Sequence, residues 1–152
     1  MAVTISTILG QTYSTVRSVL TNVSTGLTDT QSPARTRTLW VLSAFPDEYG
    51  SDFPGYPVVT IEANSVTGLM SLGGSTKTAT VTATIIVYNS NAANLDTLCD
   101  DVTNQIFVTG KSTLESGSLF SPHIDGTTTQ TVFREKGKVH IRTMPVTFKW
   151  VG

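Results

Sequence analysis

Three groups of residues in this 152-residue chain have types that do chemistry in other settings. ThrGlyLysSerThr, residues 109–113, carries the closing residues of a phosphate-binding loop, in which backbone amides cradle phosphates and the lysine reaches them. That cradle needs a glycine five residues before the Gly of GlyLysSer, on a turn leaving a strand and opening a helix. Gln105 holds the position and a helical pattern precedes it, so nucleotide binding is not expected. Asp47, Glu48 and Asp52 are acidic neighbours, but their spacing is not that of a calcium loop, and a solvated acidic loop is expected. His123 and His140, the two histidines, have no metal-ligand spacing with Cys99. A Cys–His pair is nucleophile chemistry, yet lone residues of these types usually serve structure, and no GxSxG elbow is present. AsnValSer at 22–24 matches a glycosylation acceptor but closes a helical segment in a chain without a secretion signal. No catalytic residue, cofactor or metal is therefore expected, and the chain does not read as an enzyme.

Composition points the same way. The net charge is −1 and charged residues make up 14% of the chain, against a typical quarter, which argues against a basic nucleic-acid groove or a polybasic membrane patch. Polarity is carried by 27 Thr and 15 Ser, a hydroxyl-rich surface suited to β-structure and to polar contact between subunits. The single cysteine, Cys99, allows no internal disulfide and reads as a small buried hydrophobe among Leu95, Leu98 and Val102. The first ten residues lack the basic start and apolar core of a signal peptide, and no apolar window approaches membrane-spanning length, so a soluble chain made in the cytoplasm is expected. The length suits one domain.

The elements that position these residues follow from periodicity. Ile5, Ile8, Leu9, Val16, Val19, Leu20 and Val23 recur at helical spacing, predicting an amphipathic helix over 4–25, capped by Thr4 or Ser6 and ended by Gly26. A loop follows from Leu27, then a buried strand over 39–45 stopped by Pro46. Residues 46–57, with three Pro, two Gly and the aromatics Tyr49, Phe53 and Tyr56, predict a structured loop, and 57–62 the next strand. AsnSerValThrGlyLeuMetSerLeu then leads to a turn at Gly73 and Gly74. The clearest strand runs from about Ser75 to Tyr88, with Ala79, Val81, Ala83, Ile85 and Val87 on one face and Thr78, Thr80, Thr82, Thr84, Ile86 and Tyr88 on the other. About fourteen residues make roughly 45 Å of strand, so its Thr-rich start is expected to project or to pair with another subunit. A second amphipathic helix is predicted over 91–108, an irregular excursion over 109–126, a strand over 127–133, a turn over 135–138 and a last strand over 139–150. In that last strand the alternation changes phase near Pro145, where a bulge or edge position is expected. The fold class is α+β: a mostly antiparallel sheet with one long strand, packed against two amphipathic helices.

The leading helix Thr4 to Thr25, the run PheProGlyTyrProValValThrIleGlu, the Thr-alternating strand running into AsnLeuAspThrLeuCysAspAsp, and the terminal ValThrPheLysTrp together resemble the tail-terminator or tail-completion proteins of long-tailed bacteriophages. The match is one of architecture and composition over most of the chain. It implies a virion protein of the tail's neck region that forms a homo-oligomeric ring, a hexamer, on the last tail-tube ring, ends tube growth and joins the tail to the head-neck connector. It implies a lumen through which DNA passes without specific binding, and no membrane. By the same analogy the long strand, with Thr78, Thr80 and Thr82, and its turn at Gly73 and Gly74 would meet a neighbouring subunit, and the 109–126 excursion would face the tube or neck partner; Tyr49, Phe53 and Tyr56 are further candidate contact residues. Two alternatives stay open: a head–tail adaptor or tail-tube subunit, and a Thr-rich surface-binding β-domain using Tyr49, Phe53 and Tyr56.

Overall fold

A computed structural model describes residues 3–134 and 137–152. Helix α1, Ile5–Leu20, starts where the Thr4 hydroxyl oxygen accepts a hydrogen bond from the Thr7 amide at 3.1 Å. Its many hydroxyl residues are satisfied within the helix: Thr12, Thr15, Ser18 and Thr21 each donate to the carbonyl four residues earlier. The helix stops short of the expected 25 because the Asn22 side-chain oxygen accepts from the Ser24 and Thr25 amides and turns the chain. At Gly26 the chain closes back, and a Cβ there would lie 2.7 Å from the Leu20 carbonyl oxygen.

The expected strand over 39–45 shrinks to β1, Val41–Leu42, behind a 3-10 turn at Arg37–Leu39. An apolar run of this length is equally a buried corner, and burial of Trp40 and Val41 is what the run encodes. The expected strand at 57–62 is instead the start of β2, Val58–Gly73, sixteen residues long. Asn64, Gly68 and Leu72 mark shifts of register within it and do not end it, since bulges absorb an extra residue without breaking the ladder. The glycine turn then leads into β3, Thr76–Asn89, with Gly73 and Gly74 both at positive φ.

β3 does not project. It pairs antiparallel with β2 from Gly73↔Thr76 to Val58↔Tyr88, and on its other side with β6, Gly137–Val151, from Thr78↔Val151 to Asn89↔His140. Helix α2, Ala92–Asn104, is capped by Asn91 and continues as a π turn over Gln105–Thr109. The 109–126 segment, expected to be irregular, holds a short helix α3, Lys111–Ser116, and strand β4, Leu119–Ile124. Leu114 and Leu119 anchor them in the core, but each is too short to show a period. Strand β5, Thr128–Arg134, agrees with expectation; Glu135 and Lys136 of the expected turn lie outside the described residues.

The sheet order is β1-β2-β3-β6-β4, with β5 following β4 along the same edge of β6; only β1 runs parallel to its neighbour. The fold is thus α+β with a mostly antiparallel sheet. One face carries Val59, Ile61, Ala79, Val81, Ala83, Ile85, Val87, Met144, Val146, Phe148 and Trp150, and the helices bury it with Ile8, Val16, Leu20, Leu95, Leu98, Val102 and Leu114. The phase change in β6 needs no bulge against β3, whose register is unbroken. Val139 and Ile141 lie on the opposite face, which the chain also covers at that end, and Pro145 sits where β4 gives way to β5 along β6.

This two-faced arrangement sets unequal costs for neighbouring positions on β3. Ile85→Ala, in the helix-covered face, is expected to lose about 3 kcal/mol, whereas Thr80→Ala, exposed on the other face, stays within roughly 0.5 kcal/mol. Urea denaturation of the two variants measures both, and equal losses would refute the assignment of faces.

Candidate interaction surface

The second face of the sheet is divided along its length. At the Tyr88 end it is covered by the loop that precedes β2. Phe45 lies 4.5 Å from Tyr88, ring centre to ring centre, and also contacts Phe53 and Tyr56, which meet edge to face at 5.3 Å. The Tyr56 hydroxyl donates to Glu48 at 3.2 Å; burial, together with the neighbouring Glu48 carboxylate, pushes the phenol up to about 12. The Arg134 guanidinium covers Phe45 at 4.8 Å and reaches Glu48 at 3.5 Å. Phe53 and Tyr56, both half-buried, are therefore packed into a small aromatic cluster, and Glu48, expected on a solvated acidic loop, is buried beneath it. Among the three aromatics named from the sequence, Tyr49 is the one on the surface, 72% exposed.

The loop is held in place from below by Arg35. Its guanidinium spans Asp29 with two hydrogen bonds, 2.8 and 3.0 Å, and gives its remaining donors to the carbonyls of Pro54, Gly55 and Pro57. Burial alone would raise the Asp29 carboxyl, but hydrogen bonds from the Arg35 side chain and from the Arg35 and Gln31 amides hold it below the ordinary carboxylate value.

Toward the glycine turn the same face is open. Thr78 is buried, Thr80 exposed and Thr82 half-buried, the last 3.4 Å from the Thr147 hydroxyl. They line a shallow trough of about 600 Å³ with Met70, Leu72, His123 and Lys149. Because β3 is hydrogen-bonded on both sides, its threonines meet a partner only through side chains. Free backbone lies elsewhere. Beyond Thr60 no strand among the described residues pairs with the outer side of β2, and none pairs with the outer side of β4. On β2 this free edge carries Leu69, Met70 and Leu72, all exposed. Sequence reading missed them, because glycine and serine in that stretch read as a connection, and the alternation that would have signalled a strand is broken by bulges.

The other chemical candidates have structural partners. Gly110 of the phosphate-loop fragment is pressed against α1, where a Cβ would come within 2.3 Å of Val19 Cγ1, so the glycine serves packing. Lys111 then opens a helix of only six residues. His123 pairs with Asp125 at 2.6 Å and His140 with the Thr131 hydroxyl at 3.0 Å. Cys99 is buried, which pushes its thiol up to about 11 despite the nearby Arg142. Among the described residues no three His, Cys, Asp or Glu side chains lie close enough together to hold a metal ion, and no helix is long and apolar enough to cross a membrane. No protein-family model matches the sequence, and no curated protein matches it.

Asp29→Asn breaks a buried pair whose carboxylate is 1% exposed, and is expected to lower stability by about 3 kcal/mol at neutral pH. Since the folded-state carboxyl is held below its unfolded value near 4, this contribution is complete above that value and is lost as pH falls through the folded-state value. Wild type and variant should converge in strong acid when urea denaturation is repeated at falling pH; a gap that stays constant would refute the linkage.

Proposed function

We propose that this chain is a ring-forming assembly subunit of a long-tailed bacteriophage tail, of the tail-terminator type. The observation that carries the reading is that the sheet leaves strand edges free at both its sides, β2 beyond its short pairing with β1 on one side, and β4 with β5 after it on the other. Strand direction alternates across β2, β3, β6 and β4, so a second copy placed beside β4 in the same orientation offers its β2 antiparallel. Contacts between two different surfaces repeat from copy to copy, and they close into a ring when the rotation between copies permits.

In this reading the helices, all on one face, lie outside, while the hydroxyl-rich trough turns toward the axis. A lumen lined by threonines, with Lys149 as its one lysine per subunit and His123 beside it, in a chain of net charge −1, offers DNA few cations to grip. The two rims then meet the tail tube and the head-neck connector, and the chain performs no reaction. The hexamer and these partners come from the resemblance to tail terminators. The same edges also suit a tube subunit, in which successive rings stack without limit.

Mass photometry with negative-stain images of the purified protein tests this. Closed rings of about six copies, formed in solution or only on tube ends, are the expected result. Unlimited filaments would favour the tube subunit, and a strict monomer without affinity for tubes or necks would overturn the proposal.

A further inference from the structure

The free edges overlap in height and offer complementary apolar side chains, and this deepens the ring reading on which the inference rests. β4 pairs with β6 through Leu119↔Trp150, and Trp150 pairs with Ala79 of β3; Met70 of β2 pairs with the adjacent Thr78. By these registers β4 stands level with β2 residues 63–69, so Leu69 lies at the height of Leu119 while Met70 and Leu72 reach past that end of β4. Lower down, β1 covers β2 at Val59 and Thr60. Beside β4, toward the helices, lies a depression of about 360 Å³ lined by Phe107, Lys111, Leu114, Leu119, Phe120 and Pro122. Its rim is set by the π turn Gln105–Thr109, which leaves Phe107 37% and Val108 66% exposed; π turns often mark functional positions.

We propose that a second copy of this chain docks its free β2 edge on β4. Leu69 seats in the depression beside Phe107, Leu114 and Leu119, and Met70 and Leu72 extend past the Leu119 end of β4 on the trough side. Successive residues of a strand leave by opposite faces, so a chain that pairs Met70 with Thr78 on the trough face sends Leu69 toward the helix face, where the depression lies. Area also requires these side chains. A ladder along the six residues of β4 is only about 20 Å long and falls well short of the roughly 1,200 Å² that a stable specific interface buries. Leu69, Met70 and Leu72, at 39%, 55% and 61% exposed, are the large apolar groups placed to make up that difference.

The test is disulfide trapping of full-length protein carrying Leu69→Cys and Phe107→Cys in a Cys99→Ala background. Phe107 borders the depression beside β4, which within one chain is three strand spacings, roughly 14 Å, from β2, and a disulfide closed inside one chain would leave a monomer on the gel, not a ladder. A ladder of covalent oligomers on a denaturing gel, absent from either single-cysteine variant, is expected. A covalent dimer formed by Leu69→Cys alone would mean that two β2 edges pair with each other, and would overturn the proposal. Rings by native mass without the ladder would overturn it while leaving the ring reading standing; monomers by both measurements would remove both. Leu72→Glu, at an exposed position that the fold tolerates, should weaken association at least 100-fold, and unchanged association would count against the proposal.

Discussion

The constraint on which the rest of this structure depends is that β3 is hydrogen-bonded along both sides for nearly its whole length. A strand in that position has no spare backbone, so everything it does for the molecule is done by side chains. On one face alternating alanine and β-branched residues leave room for two helices to settle close to the sheet; on the other, threonines satisfy one another or face solvent. The neighbours β2 and β6 inherit this division through their register, which is why Phe148 and Trp150 are core while Lys149 between them is not.

The second face needs its own solution, because burying only half of a long sheet leaves apolar ends. At the Tyr88 end the chain spends an aromatic loop on it. That loop has little secondary structure to hold it, and its backbone carbonyls at Pro54, Gly55 and Pro57 are satisfied by Arg35, itself fixed by Asp29. A guanidinium suits this task because it presents donors in a rigid plane and stays charged at every relevant pH. The guanidinium also lies over Trp40, tying this clamp to the core. At the other end no described residues do the same, and the open trough and free edges follow directly from that asymmetry.

The elements with a long, clean period were legible from residues alone: the first and second helices, the long strand and the glycine turn before it. Element ends were less so, as at Asn22, where a side chain competes with the helix for backbone amides. Segments that were misread share one property. Val58–Gly73, Leu119–Ile124 and Trp40–Val41 are shaped by what they pack against, so bulges, short length or a buried corner hid their state. Tyr49, Phe53 and Tyr56 were correctly placed on a structured loop, but which of them would face inward depended on Tyr88 and Arg134, far away in sequence.

By itself, then, the sequence determined periodicity, face and the scarcity of charge, because these are properties of neighbours along the chain. Only the tertiary structure decided which strand lies in the middle and which lies at the edge. Thr78, Thr80 and Thr82 have the residue types of a contact strand and sit in the centre, while Leu69, Met70 and Leu72, in a stretch that reads as a connection, hold the free edge. The physical reason is that an edge is defined by the absence of a hydrogen-bonding partner, and no local pattern of residues records a partner's absence.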